Sequence, residues 1–248
     1  MRRIPFGALL LCAATAAADT LTDIRLAVSP LQATVPASAT VEVQRFRKAE
    51  GRFANQQSNA SITVTVVSDA TGLQLNFSPE LLDGAAREAV ERQADPKKPT
   101  PLRSAISDFD ATSIAESLDF RPALLRLLAI AKTQTESRVM WQGGPVRLVV
   151  MKLTPRLPKE ATSIWNVRFS EERLSLWIGA DNIPLAAERL QKGSAGFLFL
   201  RGEMSGRESW TFARVADRLI VTRYESSFNG SGFGQHGEGT TVQIVTMR

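Results

Sequence analysis

Ser209-Trp-Thr-Phe-Ala-Arg-Val215, then Ala216-Asp217, then Leu219-Ile-Val-Thr-Arg-Tyr224 is the pattern whose reading decides the fold. Two β-prone runs, rich in aromatic and branched side chains, flank a short break. The pattern recurs through Ser163–Arg248, in Ile164–Phe169, Arg173–Ile178, Pro184–Arg189, Gly196–Arg201 and Thr241–Met247. Breaks at Ser170–Glu172, Asp181-Asn182, Gly193, Ser205-Gly206 and a glycine-rich loop after Asn229 separate the runs. Short β-prone runs punctuated by Gly, Asn and Asp predict an antiparallel meander.

Working outward, Val139–Trp141 and Val146–Leu153 flank Gly143-Gly144 and extend the meander back to about residue 138. Phe197-Leu-Phe-Leu200 is apolar at every position, which predicts a central strand covered on both faces. Further upstream, Thr40–Phe46 alternates apolar and polar residues, and Lys48–Asn59 reads as a polar loop. Ser61–Val67 and Leu73–Phe77, joined by Ser68–Gly72, predict a hairpin. Between these β regions lie three helical segments. Ser78-Pro79-Glu80 is a helix start, and the helix runs over about 79–92 until Asp95–Pro101, with its three prolines, stops it. Asp110 or Thr112 caps a second helix, over 111–118. A third, over 122–133, is apolar around most of its circumference and must be buried against the sheet. Hairpin, helices and meander make an α+β fold, with the helices packed on the sheet. The organisation expected is a signal peptide at 1–18, an extended lead-in at 19–39, and one domain over 40–248 with a weak division near 133–138.

Met1-Arg2-Arg3, an apolar run to Cys12 and Ala16-Ala-Ala18 form the signal-peptide pattern, with cleavage near Ala18 and a periplasmic or secreted product. Lipidation at Cys12 is disfavoured by Leu11, because lipoprotein signals place a small residue there. Without Cys12 the mature chain has no cysteine, so disulfides, thiolate metal sites and cysteine nucleophiles are excluded. No later run reaches the ~20 apolar residues of a membrane-spanning helix. Loss of Arg2 and Arg3 leaves 28 basic against 25 acidic residues, scattered rather than clustered, which does not make a nucleic-acid face.

Catalytic chemistry is scarce. The single histidine, His236, lies in the glycine-rich stretch Asn229–Gly239 beside Glu238. That stretch precedes a strand pattern rather than a helix, so it is not a phosphate loop. No Gly-x-Ser-x-Gly or Ser-x-x-Lys motif occurs. Asp108/Asp110 and Glu171/Glu172 fall at a helix start and in a turn, where carboxylates cap helices or stay solvated. No catalytic, cofactor-binding or metal-ligating residue is assigned. Trp141, Trp165, Trp177 and Trp210 all fall on expected strands, as core or as the lining of an apolar site.

Trp177-Ile-Gly-Ala-Asp-Asn-Ile-Pro-Leu185 reads as two strands around an Asp-Asn turn within this long meander. In architecture, over about residues 139–248, it resembles the curved sheets of periplasmic lipoprotein-carrier proteins. The resemblance implies a bent sheet that wraps helices and holds an acyl chain, and it carries over no site residue. The expected function is a non-enzymatic envelope protein that binds a protein partner or a lipid-like apolar ligand on its sheet. A hydrolase using the loop around His236, and a structural or assembly factor of the envelope, are the alternatives.

Overall fold

The computed structural model describes residues 12–51, 56–107, 109–154, 167–197, 200–232 and 234–248. Among these, five helices and ten strands form an α+β fold built on one antiparallel sheet. The strands are β1 (Ala37–Gly51), β2 (Gln56–Asp69), β3 (Gly72–Phe77), β4 (Ala131–Trp141), β5 (Gly144–Leu153), β6 (Arg168–Ile178), β7 (Pro184–Phe197), β8 (Leu200–Val215), β9 (Arg218–Gly232) and β10 (Gln235–Met247). Their order is β3-β2-β1-β10-β9-β8-β7-β6-β5-β4. Two meanders therefore join where β1 pairs with β10. The helices that follow β3 carry the chain from one sheet edge to the other.

The register aligns inward side chains into rows across the sheet. One row runs Ile62, Val43, Gln243, Tyr224, Trp210, Ala187, Leu176 and Val149, one residue from each of eight neighbouring strands. Strand side chains alternate between faces with a period of two, so residues two positions away along each strand extend the same face. On it Val41, Val64 and Val245 join the core that covers β1, β2 and β10, beneath α3 (Pro101–Ser107) and α4 (Ala111–Leu118). Met151, Leu174 and Ile178 join the core that covers β5 to β9, beneath α1 (Cys12–Val28) and α5 (Arg121–Ala129).

Local chemistry accounts for the helices. In α2 (Pro79–Ala94) the Ser78 hydroxyl accepts from the Leu81 amide, with Pro79 in the first turn. In α4 the Asp110 carboxylate accepts from the Thr112 amide. Leu124 and Leu128 of α5 are fully buried, four residues apart on one stripe.

Several expectations need correction. Residues 19–28 are not an extended lead-in but belong to α1, because Thr20, Ile24 and Val28 fall four apart and are all buried. Pro30 and Pro36, which suggest extension, lie beyond the helix end. The third helix stops at Ala129, and Ala131 opens β4, because Ala131 and Lys132 already pair with Leu153 and Lys152. The proposed division at 133–138 thus lies inside β4. Pro101 does more than stop α2, since it begins α3, a helix absent from the sequence expectations. The loop over 48–59 is shorter, since β1 continues to Gly51 and β2 begins at Gln56. The Gly143-Gly144 turn shifts by one residue. Gln142 and Gly143, both with positive φ, make it, and Gly144 already pairs with Trp141.

In the meander the short runs merge. Glu171-Glu172, Gly193 and Ser205-Gly206 all lie inside β6, β7 and β8. A bulge between Phe169 and Glu171 absorbs the irregularity at Ser170. Of the expected breaks, Asp181-Asn182 and Ala216-Asp217 are turns, each containing a positive-φ residue, Asn182 and Ala216. Phe197 ends β7 and Leu200 begins β8, and the two pair, so the ends of that run belong to two neighbouring strands rather than to one. Leu198 and Phe199 lie outside the described residues, as do Trp165 and Asp108.

The glycine-rich stretch is not a loop. Gly230 and Gly232 belong to β9, Gly237 and Gly239 to β10, and Gly230 pairs with Gly237. With Gly193, Gly202 and Gly206 they occupy the inward parity beyond the helices, which thins the side chains on that part of the face. At Gly239 the reason is contact. A Cβ there would collide with the Phe228 ring, which lies across the glycine.

Candidate functional site

A cleft of about 340 Å³ opens between α4–α5 and the inner face of the sheet. Phe120, Ala123, Leu127, Ile130 and Trp210 form its apolar wall. Phe120 is stacked at a tilt on Trp210, with centroids 5.6 Å apart, and Trp210 in turn on Tyr224 at 5.8 Å. The volume falls at the lower end of the range for small-molecule sites, about 300–1,000 Å³.

Opposite stands a polar belt, further along the sheet. Glu208, inward on β8, pairs in register with Arg189 on β7, and Glu172 lies inward on β6 two residues before Leu174. Arg189 donates from Nε to Glu172 Oε1 at 3.0 Å, from Nη2 to the same oxygen, and from Nη1 to Glu208 Oε2 at 3.4 Å. Gln191 Nε2 also donates to Glu172 Oε1, at 3.0 Å. Glu172 Oε2 is buried and has no hydrogen-bond partner among the described residues. Tyr224 donates its hydroxyl to Glu208 Oε1 at 3.0 Å. Gln243 Nε2 donates to Ser117 Oγ at 2.7 Å, tying the sheet to α4. At the rim Arg126 and Glu116 form an ion pair at 2.5 Å.

Burial, and then the neighbouring Glu208 charge, push the Tyr224 phenol up to about 12. It is therefore a protonated donor at any physiological pH. Tyr224 is the only tyrosine of the chain, so an alkaline absorbance titration reads it alone. The expected result is a phenolate that appears near pH 12 in the folded protein, and near the ordinary value of ~10 after denaturation. Its contribution to stability is complete below pH ~10 and is lost as pH rises through the folded value. A folded protein titrating at the ordinary value would contradict the buried Glu208 contact.

The candidates singled out in the sequence scatter. Glu172 belongs to the belt, whereas Glu171 is on the other face and pairs with Lys192 at 2.9 Å. Asp110 caps α4. Trp210 lines the cleft, but Trp177, one position from the inward Leu176, faces away from it and stacks with Trp141 at 5.1 Å. His236 pairs in register with Ser231 on β9 and Glu50 on β1, all at outward parity. Its neighbour Glu50 is an exposed partner of Lys48 at 2.7 Å. Among the described residues no three of His, Cys, Asp and Glu converge as a metal site. Sequence reading missed Arg189, Glu208, Tyr224 and Gln243. For three of them the available signal was parity, since Arg189, Glu208 and Gln243 each stand two positions from a buried apolar residue, Ala187, Trp210 and Val245. Tyr224 follows a bulge in the pairing of β8 with β9, which breaks the parity of its own strand.

No protein-family model matches the chain, and no curated protein matches it in sequence. Among solved structures it is similar to a domain assigned to an outer membrane lipoprotein-sorting protein of Vibrio parahaemolyticus, with 8% identity and a TM-score of 0.34, covering 95% of this chain and 93% of that one. It is also similar to a DUF1329 family protein of Desulfovibrio piger, with 9% identity and a TM-score of 0.29, covering 93% and 91%.

Proposed function

We propose that this is an exported, non-enzymatic protein of the bacterial envelope that holds an apolar ligand in the cleft between α4–α5 and the sheet. The observation that carries the reading is the cleft itself. An apolar wall of Phe120, Leu127, Ile130 and Trp210 faces a short set of fixed polar groups, which is the composition of a small-molecule site. Export rests on the basic start, apolar run and Ala16–Ala18 of the sequence.

The test uses N-phenylnaphthylamine, an uncharged fluorophore that brightens in apolar sites. The wild-type protein is expected to bind it. Leu127→Trp, which fills the cleft from a half-buried position, and Ser113→Trp, at the exposed mouth, are expected to weaken binding at least ~tenfold while thermal unfolding stays close to wild type. Failure of the wild type to bind, or equal binding by both filled variants, would sink the reading.

A further inference from the structure

We infer that the cleft selects an amphiphile with a single alkyl chain and an uncharged hydroxyl head, and discriminates against the same chain ending in a carboxylate. This rests on the ligand-binding reading above and adds the chemistry of the head.

Charge and the available hydrogen-bonding groups set this selectivity. At the polar end of the cleft three carboxylates, the lining Glu116 and Glu208 and Glu172 behind Arg189, stand against two guanidiniums, Arg126 and Arg189. The site carries an excess of one negative charge. Arg189, the cation at its floor, is committed through all three nitrogens to Glu172 and Glu208. Three of its five N–H donors already serve those two carboxylates, so its positive charge is shared between them before any ligand arrives. Arg126 is held by Glu116 at the rim, with its side chain 64% exposed. Glu172, with its side chain 2% exposed, keeps an unpartnered oxygen among the described residues, so its negative charge is incompletely compensated. A second buried anion would meet like charge in a medium of low dielectric.

A hydroxyl meets the opposite situation. A carboxylate can accept about four hydrogen bonds. Glu208 receives one from Tyr224 and a long one from Arg189, which leaves acceptor capacity at the cleft. A ligand hydroxyl can donate to the Glu208 carboxylate without bringing a charge into the site. The size of the cleft, at the lower end of the range for small-molecule sites, suits one chain rather than a multi-chain lipid.

Displacement of bound N-phenylnaphthylamine by decanol and by decanoate at neutral pH tests the inference on the full-length protein. Decanol is expected to half-displace the fluorophore at a concentration at least ~tenfold below decanoate. In Glu208→Gln, which removes the charge and keeps the shape, the ratio is expected to narrow to ~threefold or less. Glu172→Gln removes charge from beneath the same site and serves where Glu208→Gln does not fold. Decanoate binding as tightly as decanol overturns the inference, as does a ratio unchanged in the folded Gln variant. If the fluorophore binds but neither amphiphile displaces it, the inference is also overturned while the apolar cleft stands. If the fluorophore does not bind at all, the ligand-binding reading itself has failed.

Discussion

Arg218→Met is expected to lower the free energy of unfolding by about 3 kcal/mol, among the largest effects of any single change in this protein. Arg218 is 4% exposed at the start of β9. Its Nε donates to the Val35 carbonyl at 2.9 Å and its Nη2 to the Ala33 carbonyl at 3.0 Å. Longer contacts reach the Ser68 hydroxyl and carbonyl, on β2, and the Leu118 carbonyl, at the end of α4. One side chain thus joins the segment after α1, the β2–β3 turn, α4 and the β8–β9 turn. Methionine restores volume but donates nothing, so the buried Leu118 carbonyl and the part-buried carbonyls of Ala33, Val35 and Ser68 lose this partner together. The adjacent Asp217 would still accept from the Thr34 amide and hydroxyl, each at 2.6 Å, which limits the damage to the arginine's own contacts. For a chain of this length the loss corresponds to a fall of about 9 °C in Tm. Arg126→Ala, at an exposed ion pair, provides the contrast and should change stability by no more than about 0.5 kcal/mol. Equal effects of the two substitutions in urea titrations would contradict the account.

Leu124→Ala should cost about 3 kcal/mol for a different reason. Leu124 is fully buried in α5 and packs in the core shared by α1 and strands β5 to β9. Alanine keeps the helix, and is indeed the better helix former, so the change tests packing alone. The missing methyl groups leave a void that the sheet and α1 cannot both close. Because α5 also forms the wall of the cleft, the variant should bind N-phenylnaphthylamine less tightly as well as unfold earlier. Leu125→Ala, at a half-buried position on the same helix, should cost less than half as much. If the two variants unfold at the same denaturant concentration, α5 does not carry the core as described.

The lengths of the strands are harder to read than their existence. Gly193, Ser205-Gly206 and the polar and glycine positions from Asn229 to Gly239 suggest breaks when residues are judged one at a time. In the sheet, Gly193, Gly206, Gly230 and Gly239 fall at inward parity, where the adjacent strands bring another glycine, Gln191, Met204 or Phe228 to the same place. The contact between Phe228 and Gly239 makes the point. The glycine leaves room for a ring supplied by the neighbouring strand, a partner that no local pattern names. Helix α1 is hidden for a related reason. Thr20, Ile24 and Val28 are an ordinary amphipathic stripe, but beside Pro30 and a signal-like start only the core they enter distinguishes a packed helix from a leader and its tail.

By itself the sequence determined the α+β class, the capped starts of α2 and α4, the buried face of α5, and the hairpin of β2 with β3. Each depends on periodicity or on hydrogen bonds within a few residues, so the information lies beside the structure it produces. Tertiary structure alone decided the candidate site. Glu172, Arg189, Glu208, Tyr224 and Gln243 come from five strands, and the pairing of those strands sets them close together beneath α4 and α5. Hydrogen bonds across a sheet depend on which strands pair and at what offset, and that choice is made by the whole core at once.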